Sequence, residues 1–146
     1  MEEKTNSKRL GNKAEISVIS EFVKAEIPVL MPYGDNEPYD LVIETSCGFK
    51  SVQVKHGNLK NGVIIADFRK RIGYKRKEYT SYFGLVDYMA VWCSELDECY
   101  LVPLDDCKDK TYISLRVSAP KDKGNKKSIV WAKDYLLSNV IKKLKI

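Results

Sequence analysis

Two mostly apolar segments on either side of a short turn constrain the fold of this chain more than any other feature. Residues 39–45 and 49–55 flank the tripeptide Ser-Cys-Gly, and each has the length and apolar content of a buried strand. Paired as an antiparallel hairpin about that turn, they place Asp40 opposite Gln53, with Lys55 further along on the same face. A strand that looks buried therefore carries polar side chains at the open end of the hairpin.

The register of this hairpin decides which side chains share a face. In the register set by the turn, the opposite face is apolar near the open end and carries Leu41, Ile43, Val52 and Val54. A slip of one residue would send Asp40 and Gln53 to opposite faces. Polar groups gathered in this way indicate a site, but an Asp and a Lys on adjacent strands can also form a simple cross-strand ion pair.

The first helix is predicted over residues 7–25, and it carries a carboxylate on its apolar side. Ser7 is suited to the N-cap, and apolar residues recur at helical spacing at Leu10, Ala14, Val18 and Phe22. Glu15 falls on that side, where a carboxylate costs free energy unless it is paired, protonated or bound to a metal. It is either in a buried salt bridge, for example to Lys55, or part of the polar cluster. We favour the cluster because two independent periodicities direct polar groups inward.

The remaining elements indicate an α/β fold built on a mixed sheet. The sequence predicts further strands and a C-terminal helix at residues 28–32, 63–68, 86–93, 99–103, 112–117 and 131–144. The basic stretch that follows Phe68 runs to Gly84 without clear periodicity and is predicted as a loop or an irregular helix. A helix followed by a run of strands favours a mixed sheet over a doubly wound parallel one. A chain of 146 residues without repeats or a long linker is expected to form a single domain.

Positive charge is concentrated in one part of the chain. The formal net charge is +5, and six of the twelve residues from 68 to 79 are basic, against one acid. Solvated loops are often basic for solubility alone. Here aromatic residues such as Tyr74 and Tyr79 lie between the charges, as in surfaces that contact phosphates and stack on bases. We therefore predict a DNA-binding surface at Arg69, Lys70, Arg71, Lys75, Arg76 and Lys77.

Composition argues against a zinc protein and against a membrane protein. The four cysteines include no CxxC pair and the chain has one histidine, His56, so a zinc site would need scattered ligands. No apolar run approaches the roughly 20 residues that a membrane helix needs. The N-terminus has no apolar stretch of the secretory type. A cytoplasmic protein with reduced thiols is expected.

The order of these motifs resembles the PD-(D/E)XK nuclease superfamily, in which a helix carries Glu, one strand begins with Asp and the next ends in (D/E)-x-Lys. The segments GDNEPYDLVI, FKSVQVKHGNLKNGVII and GLVDYMAVWCSELDECYLVPL are similar, in succession, to the branch formed by group I intron-encoded homing endonucleases. The resemblance implies a restriction-endonuclease-like core, with a mixed central sheet flanked by helices, in one domain over residues 1–146. It also implies a catalytic set of Glu15, Asp40, Gln53 and Lys55, since this branch has glutamine where most of the superfamily has an acid.

The resemblance further implies a divalent metal, a DNA substrate and an oligomer. Mg²⁺, or Mn²⁺ in its place, would be held by Asp40 and more weakly by the Gln53 side-chain oxygen. The Val54 backbone carbonyl would complete the protein's ligands, and Glu15 would bind the ion through water or hold a second ion. Lys55 would orient or help to deprotonate the attacking water. One subunit with one site cuts one strand. Cleavage of both strands of a duplex therefore implies at least a homodimer, and the resemblance allows a homotetramer.

Two other functions stay open. Archaeal Holliday junction resolvases of the same superfamily carry a basic residue in the helix that bears the glutamate, a position that Lys8 or Arg9 would take here as a DNA contact. Those enzymes keep the acid before x-Lys, where this chain has Gln53. The glutamine also fits a DNA-binding module whose nuclease site has decayed. The first prediction remains an Mg²⁺-dependent endonuclease that cuts double-stranded DNA at a specific site.

Overall fold

The chain folds around one long strand, in a computed structural model that describes residues 6–73, 78–108, 110–121 and 129–145. Within those ranges the helices are α1 (Ser7–Lys24), α2 (Leu104–Cys107) and α3 (Leu137–Leu144), with a 3₁₀ turn at Ala132–Tyr135. The strands there are β1 (Val29–Leu30), β2 (Leu41–Thr45), β3 (Gly48–Lys60), β4 (Val63–Asp67), β5 (Arg69–Ile72), β6 (Glu78–Ser81), β7 (Tyr88–Cys93), β8 (Glu98–Pro103) and β9 (Tyr112–Arg116). Strands β5 and β6 pair with each other, and the other seven form one sheet.

Helix α1 forms where the apolar spacing predicts it, and it packs on the apolar face of the β2–β3 hairpin. The Asn6 side chain caps the first turn by accepting a hydrogen bond from the Lys8 N–H at 3.1 Å, so the cap lies before the predicted Ser7. The buried face of the helix is narrow, since Ile16 and Val23 are exposed. The buried residues of α1 form one core cluster with those of the hairpin, among them Ala14, Val18, Phe22, Leu41, Ile43, Val52 and Val54.

The register of the β2–β3 hairpin is the predicted one. The ladder runs from Leu41 opposite Val52 to Thr45 opposite Gly48. Gly48 adopts a φ of 98°, which glycine tolerates without strain. The Thr45 hydroxyl donates to the Gly48 carbonyl at 2.8 Å and accepts from the Cys47 N–H at 3.2 Å. These local bonds fix the turn, and the turn fixes the face on which each side chain of the hairpin lies.

Strand β3 is the centre of the sheet because its 13 residues pair with three other strands. Its first part pairs with β2, its middle pairs in parallel with β7, and its end forms a hairpin with β4. The parallel pairing makes the sheet mixed, which confirms the predicted fold class. At Gly57, near the end of the β7 pairing, an added Cβ would lie 2.7 Å from side-chain carbons of Ile64 and Val91. This close approach requires glycine.

Strand β7 is buried on both faces and separates two core clusters. Ala90 and Trp92 pack with α1 and the β2–β3 hairpin, whereas Met89 and Val91 pack in a second cluster with β4, β8 and β9. In the parallel ladder Met89 is the partner of Gln53, so the polar face of β3 lies on the side of the second cluster.

Two parts of the chain differ from the prediction. The basic stretch is a β-hairpin and not a loop or helix, with Arg69 opposite Ser81 and Ile72 opposite Glu78. Its β5 strand buries neither face, so it lacks the apolar alternation that would reveal a strand. The C-terminal helix is interrupted, because Leu136 is extended and bridges to Tyr100 between the 3₁₀ turn and α3. The short helix α2 was not predicted.

Two expectations from composition can be compared with the structure. All four cysteines are free thiols, three of them buried. Within the described ranges, no helix has both the length and the apolar content needed to cross a membrane.

Candidate active site

Asp40 is held by the backbone of β3 on both sides of Gln53. Its N–H donates to the Val52 carbonyl at 2.9 Å, and its carboxylate Oδ2 accepts from the Val54 N–H at 2.8 Å. The regular ladder stops at Leu41, so Asp40 faces β3 without being a ladder partner of Gln53. The carboxylate is therefore fixed relative to the main chain of the strand that carries the Gln-Val-Lys triplet.

The Gln53 side chain is oriented by the next residue. Its amide Nε2 donates to the Val54 carbonyl oxygen at 3.3 Å. With the nitrogen assigned to that bond, the amide oxygen has no hydrogen-bond partner among the described residues. The oxygen is available to a ligand, and the Val54 carbonyl keeps its second lone pair. Both atoms were predicted to contact a metal.

Lys55 lies half-buried on the same face of β3 without a direct counter-ion. In the described part of the chain the one salt bridge joins Arg69 to Asp67, so Lys55 forms neither the cross-strand pair with Asp40 nor the pair with Glu15 that the sequence left open. Burial lowers the pKa of Lys55, against the opposing charges of Asp67 and Asp40. A desolvated ammonium without an ion pair can donate its hydrogen bonds to a negatively charged ligand.

Glu15 lies in α1, half-buried beside the core residue Ala14 and within electrostatic reach of Asp40. Burial raises the pKa of Glu15, and the charge of Asp40 raises it further. Burial likewise raises the pKa of Asp40, against the lowering effects of the Val54 N–H and the Lys55 charge. The charge of Lys55 therefore does not offset the burial of the two acids and the repulsion between them.

These donors suit a hard divalent cation. Two carboxylates, an amide oxygen and a backbone carbonyl are all oxygen ligands, the type that Mg²⁺ takes. Among the described residues no three His, Cys, Asp or Glu side chains are grouped as a metal site, and Gln53 stands where most of the superfamily that the sequence resembles has an acid. The unpartnered amide oxygen of Gln53 and the repulsion between Glu15 and Asp40 would both be relieved by a cation.

Two residues that were assigned no role lie beside Lys55. Asp67, at the end of β4, acts electrostatically on Lys55, and hydrogen bonds from Arg69 are the main cause that lowers the Asp67 pKa. The Lys55 ammonium is 5.2 Å from the centroid of the Tyr82 ring. Burial, reinforced by Asp40 and Asp67, raises the pKa of Tyr82 to about 12, so its hydroxyl stays protonated. Periodicity gives no signal for either residue, because both reach the cluster through tertiary contacts.

The predicted DNA-binding residues fall into different environments. Arg69 is occupied, since its guanidinium donates to Asp67 at 3.0 and 2.9 Å and lies over the rings of Tyr79 and Tyr112. On the same strand, Lys70 is half-buried like Arg69, and Arg71 is exposed.

The other predicted DNA contacts lie elsewhere. Lys8 and Arg9 are exposed in the first turn of α1. Lys75, Arg76 and Lys77 lie outside the described residues. His56 lies beyond the cluster on β3 and is bonded to the Ser94 hydroxyl at 2.9 Å.

Comparison with known proteins shows the family and the fold of the chain. A family model described as PD-(D/E)XK endonuclease matches residues 5–138. A solved structure titled as that of a bacterial homing endonuclease, I-Ssp6803I, superposes with a TM-score of 0.74 at 24% sequence identity. The match covers 94% of this chain and 93% of the other. A search of curated proteins gave no match.

Proposed function

Because the chain belongs to the PD-(D/E)XK endonuclease family, we propose that it is a metal-dependent nuclease that hydrolyses phosphodiester bonds in double-stranded DNA. The observation that carries this proposal is the convergence of four residues from three elements. Asp40 is bonded to the backbone of the triplet Gln53–Lys55 at 2.8 Å, and Glu15 of α1 shares its electrostatic field.

The metal we propose is Mg²⁺, with Mn²⁺ as a substitute. Asp40 and Glu15 would hold it through carboxylate oxygens, and Gln53 and Val54 through neutral carbonyl oxygens. When bound, the cation supplies charge that neutralises the phosphate and lowers the pKa of a water. The neutral Gln53 contributes less charge than an acid would, so affinity depends more on Glu15 than it would in an all-acid site.

We assign Lys55 the handling of the attacking water and of the phosphate charge. As an ammonium it donates hydrogen bonds to a phosphate oxygen as negative charge develops there. Because burial lowers its pKa, the neutral amine is easier to reach than in an exposed lysine, and it can take a proton from the attacking water. The water oxygen then attacks phosphorus, the P–O bond to the leaving ester oxygen breaks with its electron pair, and that oxygen takes a proton from solvent.

We further propose a site-specific enzyme of the homing type. The support is the fold match over nearly the whole chain and the glutamine before x-Lys. A structure-specific nuclease is the second candidate, since Lys8 and Arg9 are exposed on the helix that carries Glu15. Cutting both strands of a duplex needs two sites, so we propose a homodimer or homotetramer.

Cleavage selection on a randomised duplex library with Mg²⁺ tests the proposal, with Asp40→Asn as the inactive control. We expect the wild type to enrich one target sequence and EDTA to abolish cutting. Preference for a four-way junction over linear duplex would instead favour the structure-specific nuclease. Tight DNA binding without cleavage of any substrate by either metal would show a decayed module, and sedimentation of the DNA complex gives the number of subunits.

A further inference from the structure

Tyr82 lies against Lys55 in a way that nothing in the motif explains. The 5.2 Å between the Lys55 nitrogen and the Tyr82 ring centroid is within the roughly 6 Å over which an aromatic face attracts a cation. Tyr82 is 7% exposed and packs in the second core cluster with Phe68, Val86 and Met89. The ring is therefore held in place by the core and cannot easily turn away from the ammonium.

Few other contacts fix the direction of the Lys55 side chain. Its ammonium forms no salt bridge or hydrogen bond with the described residues. A lysine side chain has four flexible carbons and a charge that binds without preferred geometry, so it needs surrounding contacts to point in one direction. The Tyr82 ring is the one aromatic face of the described residues in contact with that charge.

The position of the Tyr82 ring is set by the β5–β6 hairpin. Tyr82 directly follows β6, whose last residue, Ser81, is the ladder partner of Arg69. Arg69 is tied to the main sheet through Asp67 on β4 and through the ring of Tyr112 on β9, at 4.9 Å. The base of the β5–β6 hairpin is therefore fixed to β4 and β9 of the main sheet.

We propose that Tyr82 is a positioning residue for Lys55, with its ring face directing the ammonium and the base of the β5–β6 hairpin holding the ring. This inference rests on the proposed nuclease function, in which Lys55 is the catalytic lysine. We assign the positioning to the Tyr82 ring and not to its hydroxyl, because the observed contact is with the ring face.

The first experiment does not depend on cleavage. In protein labelled with ¹³C-lysine, free of metal and DNA, the Lys55 ε-methylene signal is assigned with Lys55→Arg. We expect ring currents to shift its protons upfield in the wild type and in Tyr82→Phe, and the shift to disappear in Tyr82→Leu. An unshifted signal in the wild type, or an unchanged one in Tyr82→Leu, would overturn the contact even if the protein proves to be a nuclease.

The second experiment measures cleavage of the selected duplex. We expect Tyr82→Phe to retain kcat and Tyr82→Leu to lower it on the order of 10²-fold, as small misplacements of catalytic groups do, with KM little changed. Equal losses in both variants would assign the role to the hydroxyl, and no loss in Tyr82→Leu would remove the role; either result overturns the proposal. Phe83→Leu, an exposed neighbour, is the matched control.

Stability is checked alongside, since Tyr82 is a core residue. If Tyr82→Leu unfolds below the assay temperature, Tyr82→Met fills the space with a flexible side chain and carries the same expectations. A library without any cleavage by the wild type would refute the nuclease function alone, because the NMR comparison still decides whether Tyr82 holds Lys55.

Discussion

The Asp40 carboxylate accepts a hydrogen bond from the Val54 N–H at 2.8 Å. This bond ties the acid at the start of β2 to the backbone between Gln53 and Lys55. It uses Oδ2, and no hydrogen bond to Oδ1 is formed by the described residues, so one carboxylate oxygen holds the geometry while the other is free for a ligand. The Asp40 side chain therefore has two roles, a hydrogen bond that holds the fold and a charge that can bind a ligand. Different substitutions remove one role or both.

We expect Asp40→Asn to lower cleavage by at least about 100-fold while the fold is retained. The asparagine oxygen can still accept the Val54 N–H, but the negative charge is lost. Asp40→Ala also removes the acceptor and leaves that N–H unpaired, so it should cost a further ~1–3 kcal/mol of unfolding free energy. Urea unfolding of both variants beside the wild type makes the comparison. Equal stability of Asp40→Ala and Asp40→Asn would contradict the structural part of the role.

Gln53→Glu is expected to act in opposite directions with and without metal. The new carboxylate adds repulsion to Asp40 and Glu15 and loses the amide donor to the Val54 carbonyl, so the metal-free protein should melt lower. An extra charged ligand should raise Mg²⁺ affinity by about tenfold. Calorimetric titration and melting with and without Mg²⁺ measure both effects. Unchanged Mg²⁺ affinity would exclude Gln53 as a ligand, with Gln53→Ala as the reference.

Two neighbouring arginines should behave differently on DNA. Arg71 is exposed and Arg69 is bonded to Asp67, so Arg71→Gln should weaken DNA binding and reduce the salt slope by about 0.9, the value of one phosphate contact. Arg69→Gln should instead lower stability, with a smaller change in slope. Fluorescence binding at several salt concentrations tests this. A slope that is unaffected by Arg71→Gln, alone or with Lys70→Gln, would exclude β5 as the contact surface.

The Asp67–Arg69 pair predicts a stability difference that depends on pH. Hydrogen bonds from Arg69 lower the pKa of Asp67 in the folded protein below its ordinary 3.8. The carboxylate therefore stabilises the fold above that value, and the contribution disappears as the pH falls through the folded pKa. Asp67→Asn should cost less than about 1 kcal/mol at pH 7, since the pair is partly exposed, and nothing once both states are protonated. Urea unfolding of Asp67→Asn beside the wild type, from pH 7 down through the acid range, measures the difference, and a cost that does not change with pH would contradict it.

Gly57 and Gly11 give a matched pair for packing. An added methyl at Gly57 meets Ile64 and Val91 at 2.7 Å, so Gly57→Ala should destabilise the protein by about 1–3 kcal/mol. Gly11 lies exposed in α1 with nothing within 4 Å, so Gly11→Ala should stabilise it by about 0.5–1 kcal/mol. Thermal unfolding should move in opposite directions for the two variants. Tolerance of Gly57→Ala would mean that β3 can shift away from β7.

Helix α1 and the β2–β3 hairpin could be predicted from the sequence, because each is set by residues close together in the chain. The spacing of Ala14, Val18 and Phe22 predicts α1, and the Ser-Cys-Gly turn predicts the register that brings Asp40 to β3. The prediction of a loop or irregular helix for the basic stretch was wrong. Neither face of β5 is buried, so its sequence lacks the apolar alternation of a strand. The break at Leu136 was not predicted because it depends on a bridge to Tyr100, distant in the sequence.

The sequence by itself determined which residues of the hairpin share a face, because side-chain direction in a strand follows from turn position and a period of two. The order of its motifs and the segments around them also indicated the family, which the family model over residues 5–138 confirms. Only the tertiary structure decided three contacts. Among the described residues Lys55 forms no salt bridge, Arg69 forms one with Asp67, and the Lys55 ammonium lies over the Tyr82 ring. Those outcomes depend on how β4, β9 and the β5–β6 hairpin pack around β3. Contacts between segments far apart in the chain leave no periodic trace in it.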